Sequence, residues 1–307
     1  LDFPRVAAGQ CRHEIDWLYG INLSRALTES ARKSSGRYAT LSTGRVQGPT
    51  LRFLVERERE IETFVPVPHW EIQATVEING EALQAEFQVE RFEIKSEAET
   101  VATLSIGQEG RVEDVATKVA QLPPPFPFDL STLQVEAYRH FGMAPRYSLH
   151  IAERLYLDAL ISYPRTSSQK LPPSIGWRRV FEGLSKNANY QAHAAILLGL
   201  RELHPNEGRR TDPAHPAVYP TGALPKRSLD SKESRVYDLV VKRFMATFGP
   251  PATRETVKAT VDVKGLKFYL RGSRIEAAGW IDFYKPYARF ENVSLPAITK
   301  GTRVNFL

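Results

Sequence analysis

The hydrophobic period of this chain switches between helix-like and strand-like three times, and that alternation restricts the fold more than any other feature. Leu1–Thr63 reads as mainly helical, with Ile15, Leu18, Tyr19 and Leu23 recurring near helical spacing. A polar Ser34-Ser35-Gly36 break separates this run from a second one at Val46–Ile61. The alternation Glu56-Arg57-Glu58-Arg59-Glu60 is expected to be a solvated helix face. The period then becomes two. Trp70, Ile72, Ala74, Val76 and Ile78 alternate with polar residues, and Leu83, Ala85, Phe87 and Val89 continue beyond Asn79-Gly80. Asn-Gly between two alternating runs signals a type I′ hairpin, because both residues tolerate positive φ.

Gln121–Phe128 holds four prolines and reads as a linker or domain crossing. The helical period returns from Asp129 to Gly249. Leu130–Phe141 and Leu149–Leu160 are expected helices separated by Gly142 and Pro145, with Ser148 as N-cap of the second, and Arg235–Phe248 is a third. Thr256–Val263 and Leu266–Leu270 then alternate about Lys264-Gly265, and aromatic-rich, strand-like sequence follows to Leu307. Two β stretches flanking one helical stretch imply an α+β chain in which a β domain, discontinuous in sequence, carries a helical insertion. No repeat of solenoid length is present.

A chain of 307 residues has room for two or three domains. Its net charge is +6, with 28 Arg against 13 Lys. The Arg bias favours planar, bidentate recognition of phosphate or carboxylate, and the basic balance fits a polyanionic partner. Cys11 is the sole cysteine, which excludes an internal disulfide and a cysteine-based zinc site. The longest apolar stretch, around Ala192–Leu200, is too short to span a bilayer. Residue 1 is Leu, only Met143 and Met245 occur, and Leu1–Gln10 lacks a basic-then-apolar signal pattern. The expectation is a cytoplasmic protein with no membrane partner, cut from something longer.

Walker, G-x-G-x-x-G, G-x-S-x-G and H-E-x-x-H motifs are all missing, as is an Asp-x-Asp-x-Glu cluster for Mg²⁺. The informative segment is Leu157–Pro172, LDALISYPRTSSQKLP. Pro164 biases Tyr163 toward extended backbone, and Arg165, two residues on, then points to the same face. A phenol beside a guanidinium suits a phosphodiester: the oxygen attacks phosphorus while the fork holds the non-bridging oxygens. The hydroxyls that follow Arg165 would supply further phosphate donors. An ordinary half-buried tyrosine beside a surface arginine fits the spacing equally. AHPAVYPT (Ala214–Thr221) sets His215 and Thr221 in a Pro-bounded loop, where the imidazole either contacts phosphate, shuttles a proton or is structural. In LSTGRVQGPTL (Leu41–Leu51), Gly44 and Gly48 bracket Arg45 and Gln47, which suits close approach to a phosphate or a plain helix start.

Together these segments resemble the type IA DNA topoisomerases of the kind found in archaea. CRHEIDWLYGINLSRALT (Cys11–Thr28) is similar to the helix after that family's N-terminal domain, and LSTGRVQGPTL to its glycine-arginine-glutamine motif. LQVEAYRHFGMAP (Leu133–Pro145) and IAERLYLDALISYPRTSSQKLP (Ile151–Pro172) resemble its tyrosine motif with the leading helices. HPAVYPT resembles its histidine motif, and SRVYDLVVKRFMATFGPPA (Ser234–Ala252) with Gly279-Trp280 the stretch re-entering its β arch.

The resemblance implies a toroidal core: a partial helical base at Leu1–Thr63, a β arch from Phe64–Pro127 with Ala252–Leu307, and an inserted winged-helix-like domain at Phe128–Pro251. It implies that Tyr163 attacks one DNA strand and holds its 5′ end as phosphotyrosine, so that strand passage and resealing need no ATP. Arg165 would hold the scissile phosphate and His215 would assist. Arg12, Asp16, Ser42, Gly44, Arg45, Gln47, Thr166, Ser168 and Thr221 would contact DNA, preferentially single-stranded, with the protein a monomer. The family's Mg²⁺ would be held by an N-terminal TOPRIM domain before Leu1, so this chain is expected to bind no metal and to be catalytically incomplete alone. Its end at Leu307 falls before the family's returning helical segment of the base.

Two departures are visible. Ser167 stands where the tyrosine motif often has Asp, and Pro216 and Tyr219 replace residues common in the bacterial histidine motif. The alternative reading is a DNA-binding module without chemistry, its winged-helix-type domain reading a groove. A tyrosine recombinase fits poorly, since LISYPRT lacks the several arginines and basic residue that chemistry draws on.

Overall fold

The computed structural model describes residues 2–290 and 292–307. Leu1, where the expected base begins, and Glu291 lie outside the described residues. The chain forms two compact units that divide between Pro68 and His69.

The first unit is built on α1 (Phe3–Ser35). The Asp2 side chain accepts from the Arg5 amide at its start, and Gly36, at φ 68°, ends it by donating to the Arg32 carbonyl. An extended segment runs back along this helix. Thr28 Oγ1 accepts from the Leu41 amide at 3.0 Å, Ser24 Oγ accepts from the Thr43 amide at 2.9 Å, and Asp16 receives the Arg45 side chain. The spacing explains the match: four helical residues rise about 6 Å, and two extended residues rise about 6.6 Å, so every second residue meets a new helical turn. Helix α2 (Gln47–Glu62) follows, its charges exposed and paired as Arg52–Glu56 and Arg57–Glu60. The alternating Glu and Arg run is thus a solvated face.

The second unit combines a closed antiparallel barrel with a helical body. In chain order its first elements are β1 (Gln73–Ile78), β2 (Glu81–Phe87), α3 (Lys95–Ser105) and β3 (Glu109–Leu122). Five α-helices follow: α4 (Leu130–Phe141), α5 (Pro145–Leu157), α6 (Trp177–Leu184), α7 (Gln191–Leu198) and α8 (Ser231–Thr247). Then come β4 (Ala252–Val263), β5 (Leu266–Ala277), α9 (Trp280–Tyr284) and β6 (Arg303–Phe306). Around the barrel the order is β1-β2-β5-β4-β3-β6, closed by β6 against β1.

Asn79-Gly80 and Lys264-Gly265 turn the β1–β2 and β4–β5 hairpins, all four residues at positive φ. Val76, Ile78, Phe87, Val261, Phe268 and Phe306 fill the barrel, the inward half of the alternation. A separate apolar core lies among the helices around Phe128, Leu133, Phe181 and Phe244.

Local chemistry moves several boundaries from where periodicity puts them. Helix α5 starts at Pro145, whose missing N–H costs nothing at the first helical position. Ser148 is therefore inside the helix and donates back to the Pro145 carbonyl at 3.0 Å, so it is not the N-cap. Ala159 at φ 57° stops the same helix before Leu160. Helix α8 starts at Ser231 because Asp230 and Glu233 form a capping box. Trp70 forms only an isolated bridge with Phe92, and Val89 is exposed beyond β2. The aromatic stretch after β5 is helical at Trp280–Tyr284, where Trp280, Ile281, Phe283 and Tyr284 pack into the helical core.

Candidate active site

Tyr163 stands on a loop that leaves α5 and is laced to the loop carrying His215. The left-handed Ala159 turns the chain out of the helix, and Leu160 then accepts from the Thr221 amide at 3.0 Å. The Ser162 amide donates to the Tyr219 carbonyl at 2.8 Å, and Ser162 Oγ accepts from the Tyr219 amide at 3.0 Å while donating to the Ala217 carbonyl at 3.2 Å. The Val218 amide donates to the Phe128 carbonyl at 2.7 Å, and the Ala217 amide to the Lys170 carbonyl at 2.8 Å. Four prolines in residues 213–220 and 164 would otherwise leave this backbone without partners; the crossed bonds supply them.

One close approach fixes the far end of the histidine loop. Gly222 takes φ 83°, and a Cβ on Gly183 of α6 would lie 2.2 Å from the Gly222 carbonyl oxygen. Both positions need glycine.

Burial alternates along the tyrosine loop: Pro164, Thr166 and Ser168 are buried, Arg165 and Ser167 exposed, and Tyr163 half-buried. The Tyr163 ring meets Tyr156 edge-on at 5.3 Å between centroids and lies 4.7 Å from the His215 ring. Arg165 reaches Glu153 of α5, one turn from Tyr156, with Nε and Nη2 each 2.7 Å from Oε1. The helix therefore orients both the phenol and the guanidinium.

The inner hydroxyls are occupied. Thr166 Oγ1 donates to the His215 carbonyl at 3.3 Å and accepts from the Ser168 amide at 3.0 Å. Ser168 Oγ accepts from the Lys170 amide at 3.1 Å. With 4% and 2% exposure, Thr166 and Ser168 face the protein and hold the loop, unlike the phosphate donors expected of them. Thr221 Oγ1 donates to the Ala159 carbonyl at 2.6 Å, so it too ties the two loops together.

Asp212 joins the loops on the exposed side. Its Oδ1 accepts from the Ala214 and His215 amides at 2.9 and 3.1 Å, and its Oδ2 lies 3.4 and 3.3 Å from the Ser167 amide and Oγ. The Ala214 amide, with those of Ser167 and His215, holds its carboxyl below the ordinary Asp range. A cleft of about 420 Å³ borders this loop, lined by Lys170, Glu207, Asp212 and His215 among others. Sequence reasoning missed Glu153, Tyr156, Ser162 and Asp212. Only Asp212 carried a signal, since Asp-Pro three residues before His215 is a turn-starting, amide-capping pattern.

In the first unit, Arg45 Nε and Nη2 donate to Asp16 Oδ1 and Oδ2 at 2.7 and 3.3 Å, and Arg12 Nε lies 3.8 Å from Oδ2. The Arg45 hydrogen bond holds Asp16 below the ordinary Asp range. Asp16 is thus the anchor of Arg45. Ser42, Arg45 and Gln47 are exposed and Gly44 half-buried. Among the described residues, no group of three or more His, Cys, Asp or Glu side chains could hold a metal, and no helix is long and apolar enough to cross a membrane.

A family model described as DNA topoisomerase matches residues 1–306. The chain is 46% identical to DNA topoisomerase 1 of Pyrococcus horikoshii over 308 residues, covering 100% of this chain and 45% of that protein. The chain belongs to the type IA DNA topoisomerase family. This topoisomerase chain is also 30% identical over 307 residues to DNA topoisomerase 3 of Pasteurella multocida, covering 90% of this chain and 47% of that protein. Full-length topoisomerase I from Thermotoga maritima superposes with a TM-score of 0.70 at 25% identity, covering 99% of this chain and 49% of that one. Its mixed helix and sheet content is that of a type IA topoisomerase fold. The topoisomerase chain spans less than half the length of these relatives.

Proposed function

We propose that Tyr163 is the nucleophile of DNA strand cleavage. Its phenolic oxygen attacks phosphorus and the bond to the 3′ oxygen breaks, which leaves a 3′-hydroxyl and the 5′ end on Tyr163. The phenol gives up its proton and the departing oxygen gains one, with His215 as the shuttle. Arg165 holds the non-bridging oxygens. Resealing reverses these steps and conserves the phosphodiester energy in the phosphotyrosine.

One observation carries this reading: the Tyr163 and His215 rings lie 4.7 Å apart on two loops laced together by backbone bonds, with Arg165 exposed beside them. Arg45, Gln47 and Arg12 are the single-strand contacts, and Asp16 positions Arg45. Residues 1–63 act as part of the base, the barrel as the arch, and residues 128–251 as the inserted winged-helix-like domain of a monomeric toroid. Magnesium dependence would rest on residues outside those described.

The test uses the protein encoded by the complete reading frame, Mg²⁺ and a single-stranded oligonucleotide. A 3′-label should become covalently attached to the wild-type protein and a 5′-label should be released, with neither seen for Tyr163→Phe. Equal oligonucleotide binding with no adduct from either protein would leave a DNA-binding module without chemistry.

A further inference from the structure

Asp212 bonds to both catalytic loops on their exposed side, while buried Asp129 joins Gln169 to Arg210 at their far end. Asp212 caps two amides of the histidine loop, and its other oxygen faces the amide and hydroxyl of Ser167, 45 residues away. Ser167 sits two residues from Arg165 and four from Tyr163 on the exposed side of the tyrosine loop. The other ties near the site are neutral: backbone pairs, the hydroxyls of Ser162, Thr166 and Thr221, and a second contact of Ser167 Oγ, 3.4 Å from the Thr211 carbonyl. A charged acceptor on an amide is about twice as strong as a neutral one. One carboxylate thus bridges the two loops at the exposed edge, through contacts of 3.3 and 3.4 Å to Ser167, where the cleavage reading puts a phosphate between Arg165 and His215.

We propose that Asp212 is a positioning residue for strand cleavage, a carboxylate that clamps the tyrosine loop to the histidine loop through Ser167. It touches no reacting atom. It acts by holding Tyr163 and His215 in register, and misplacement by about 1 Å costs about a hundredfold in rate. The assignment rests on the strand-cleavage reading above.

The test measures single-turnover adduct formation and oligonucleotide affinity separately, in the protein encoded by the complete reading frame. Asp212→Asn keeps an oxygen for the Ala214 and His215 amides but turns an amide nitrogen toward Ser167. Adduct formation should fall about ten- to hundredfold with affinity unchanged. Ser167→Ala leaves the Asp212 turn whole and should fall severalfold. Moving the carboxylate across the clamp in Ser167→Asp/Asp212→Ser should restore most of the lost rate, which a merely structural role would not produce. An Asp212→Asn protein that cleaves at the wild-type rate, or that loses affinity in proportion to cleavage, overturns the assignment. A wild-type protein that forms no adduct would remove the strand-cleavage reading itself.

Discussion

Arg165 Nε donates to one oxygen of Glu153 at 2.7 Å, and Arg165 Nη2 lies 2.7 Å from the same oxygen. The pair is 54% and 35% exposed, so it contributes less than about 1 kcal/mol to stability. On the strand-cleavage proposal, its effect would lie in aim, because the Glu153 contact holds the guanidinium before a phosphate arrives. Glu153→Ala should leave denaturant unfolding nearly unchanged and slow adduct formation severalfold. Arg165→Lys keeps the charge without the fork and should slow it further, about a hundredfold, in the same single-turnover assay.

Thr166→Val tests the inner lacing. Valine fills the same space but leaves the His215 carbonyl and the Ser168 amide without this partner. The expected loss is about 1–3 kcal/mol in urea unfolding. Limited proteolysis should then cut between residues 163 and 168 first.

Glu233 gives the fold an acid limit. It is buried, bonded by two Arg227 nitrogens at 2.7 Å each, with Arg154 also at 2.7 Å. The Arg227 hydrogen bonds, helped by the Asp230 amide, lower its pKa to about 2. A depressed carboxyl stabilises the fold fully above its unfolded pKa of about 4.3 and loses that contribution as pH falls toward 2. Glu233→Gln should cost about 1.5–3 kcal/mol at pH 7, and the difference from wild type should shrink below about pH 4. Urea titrations at several pH values check the sign.

Gly183→Ala should destabilise by about 1–3 kcal/mol, because its Cβ would enter the Gly222 carbonyl across two backbones that cannot yield like a side chain. Thermal unfolding reads this directly. A parallel drop in adduct formation would show that the Gly222 turn transmits the strain to the histidine loop.

Arg45→Ala should weaken single-strand binding and reduce the slope of log affinity against log salt by about 0.7, the value for one phosphate no longer neutralised. Fluorescence anisotropy over a range of salt concentrations measures it. A slope unchanged from wild type would mean that Arg45 serves Asp16 alone.

The elements that were legible from sequence are those whose cause is local. Asn79-Gly80 and Lys264-Gly265 announced their hairpins because positive φ at two successive residues is a property of the turn itself. The strand order was not legible: β2 lies beside β5 through pairs such as Phe87 with Phe268, and alternation says nothing about which strand is next door. Trp280–Tyr284 is too short for a helical period to emerge, and its aromatics imitate a strand.

At the site, the motif brought Tyr163, Arg165 and His215 into view, and the structure sets Tyr163 and His215 ring to ring. Which hydroxyl faces outward depends on a one-residue alternation in an irregular loop, so Ser167 and its neighbours Thr166 and Ser168 were indistinguishable by composition. Asp212 was hidden because its partner lies in another loop, and no periodicity links them.

Strands β3 and β4 pair up to Leu122 opposite Ala252, and residues 123–251 leave and return at that one rung. To the barrel, the whole helical excursion is a single closed loop. The entropy of closing a loop grows only logarithmically, about 0.6 kcal/mol for each doubling of length. The barrel is therefore almost indifferent to the size of what it carries. Helices could be added to or trimmed from the tyrosine-bearing body over evolutionary time without renegotiating a strand register, while the two strands below serve as a fixed stalk.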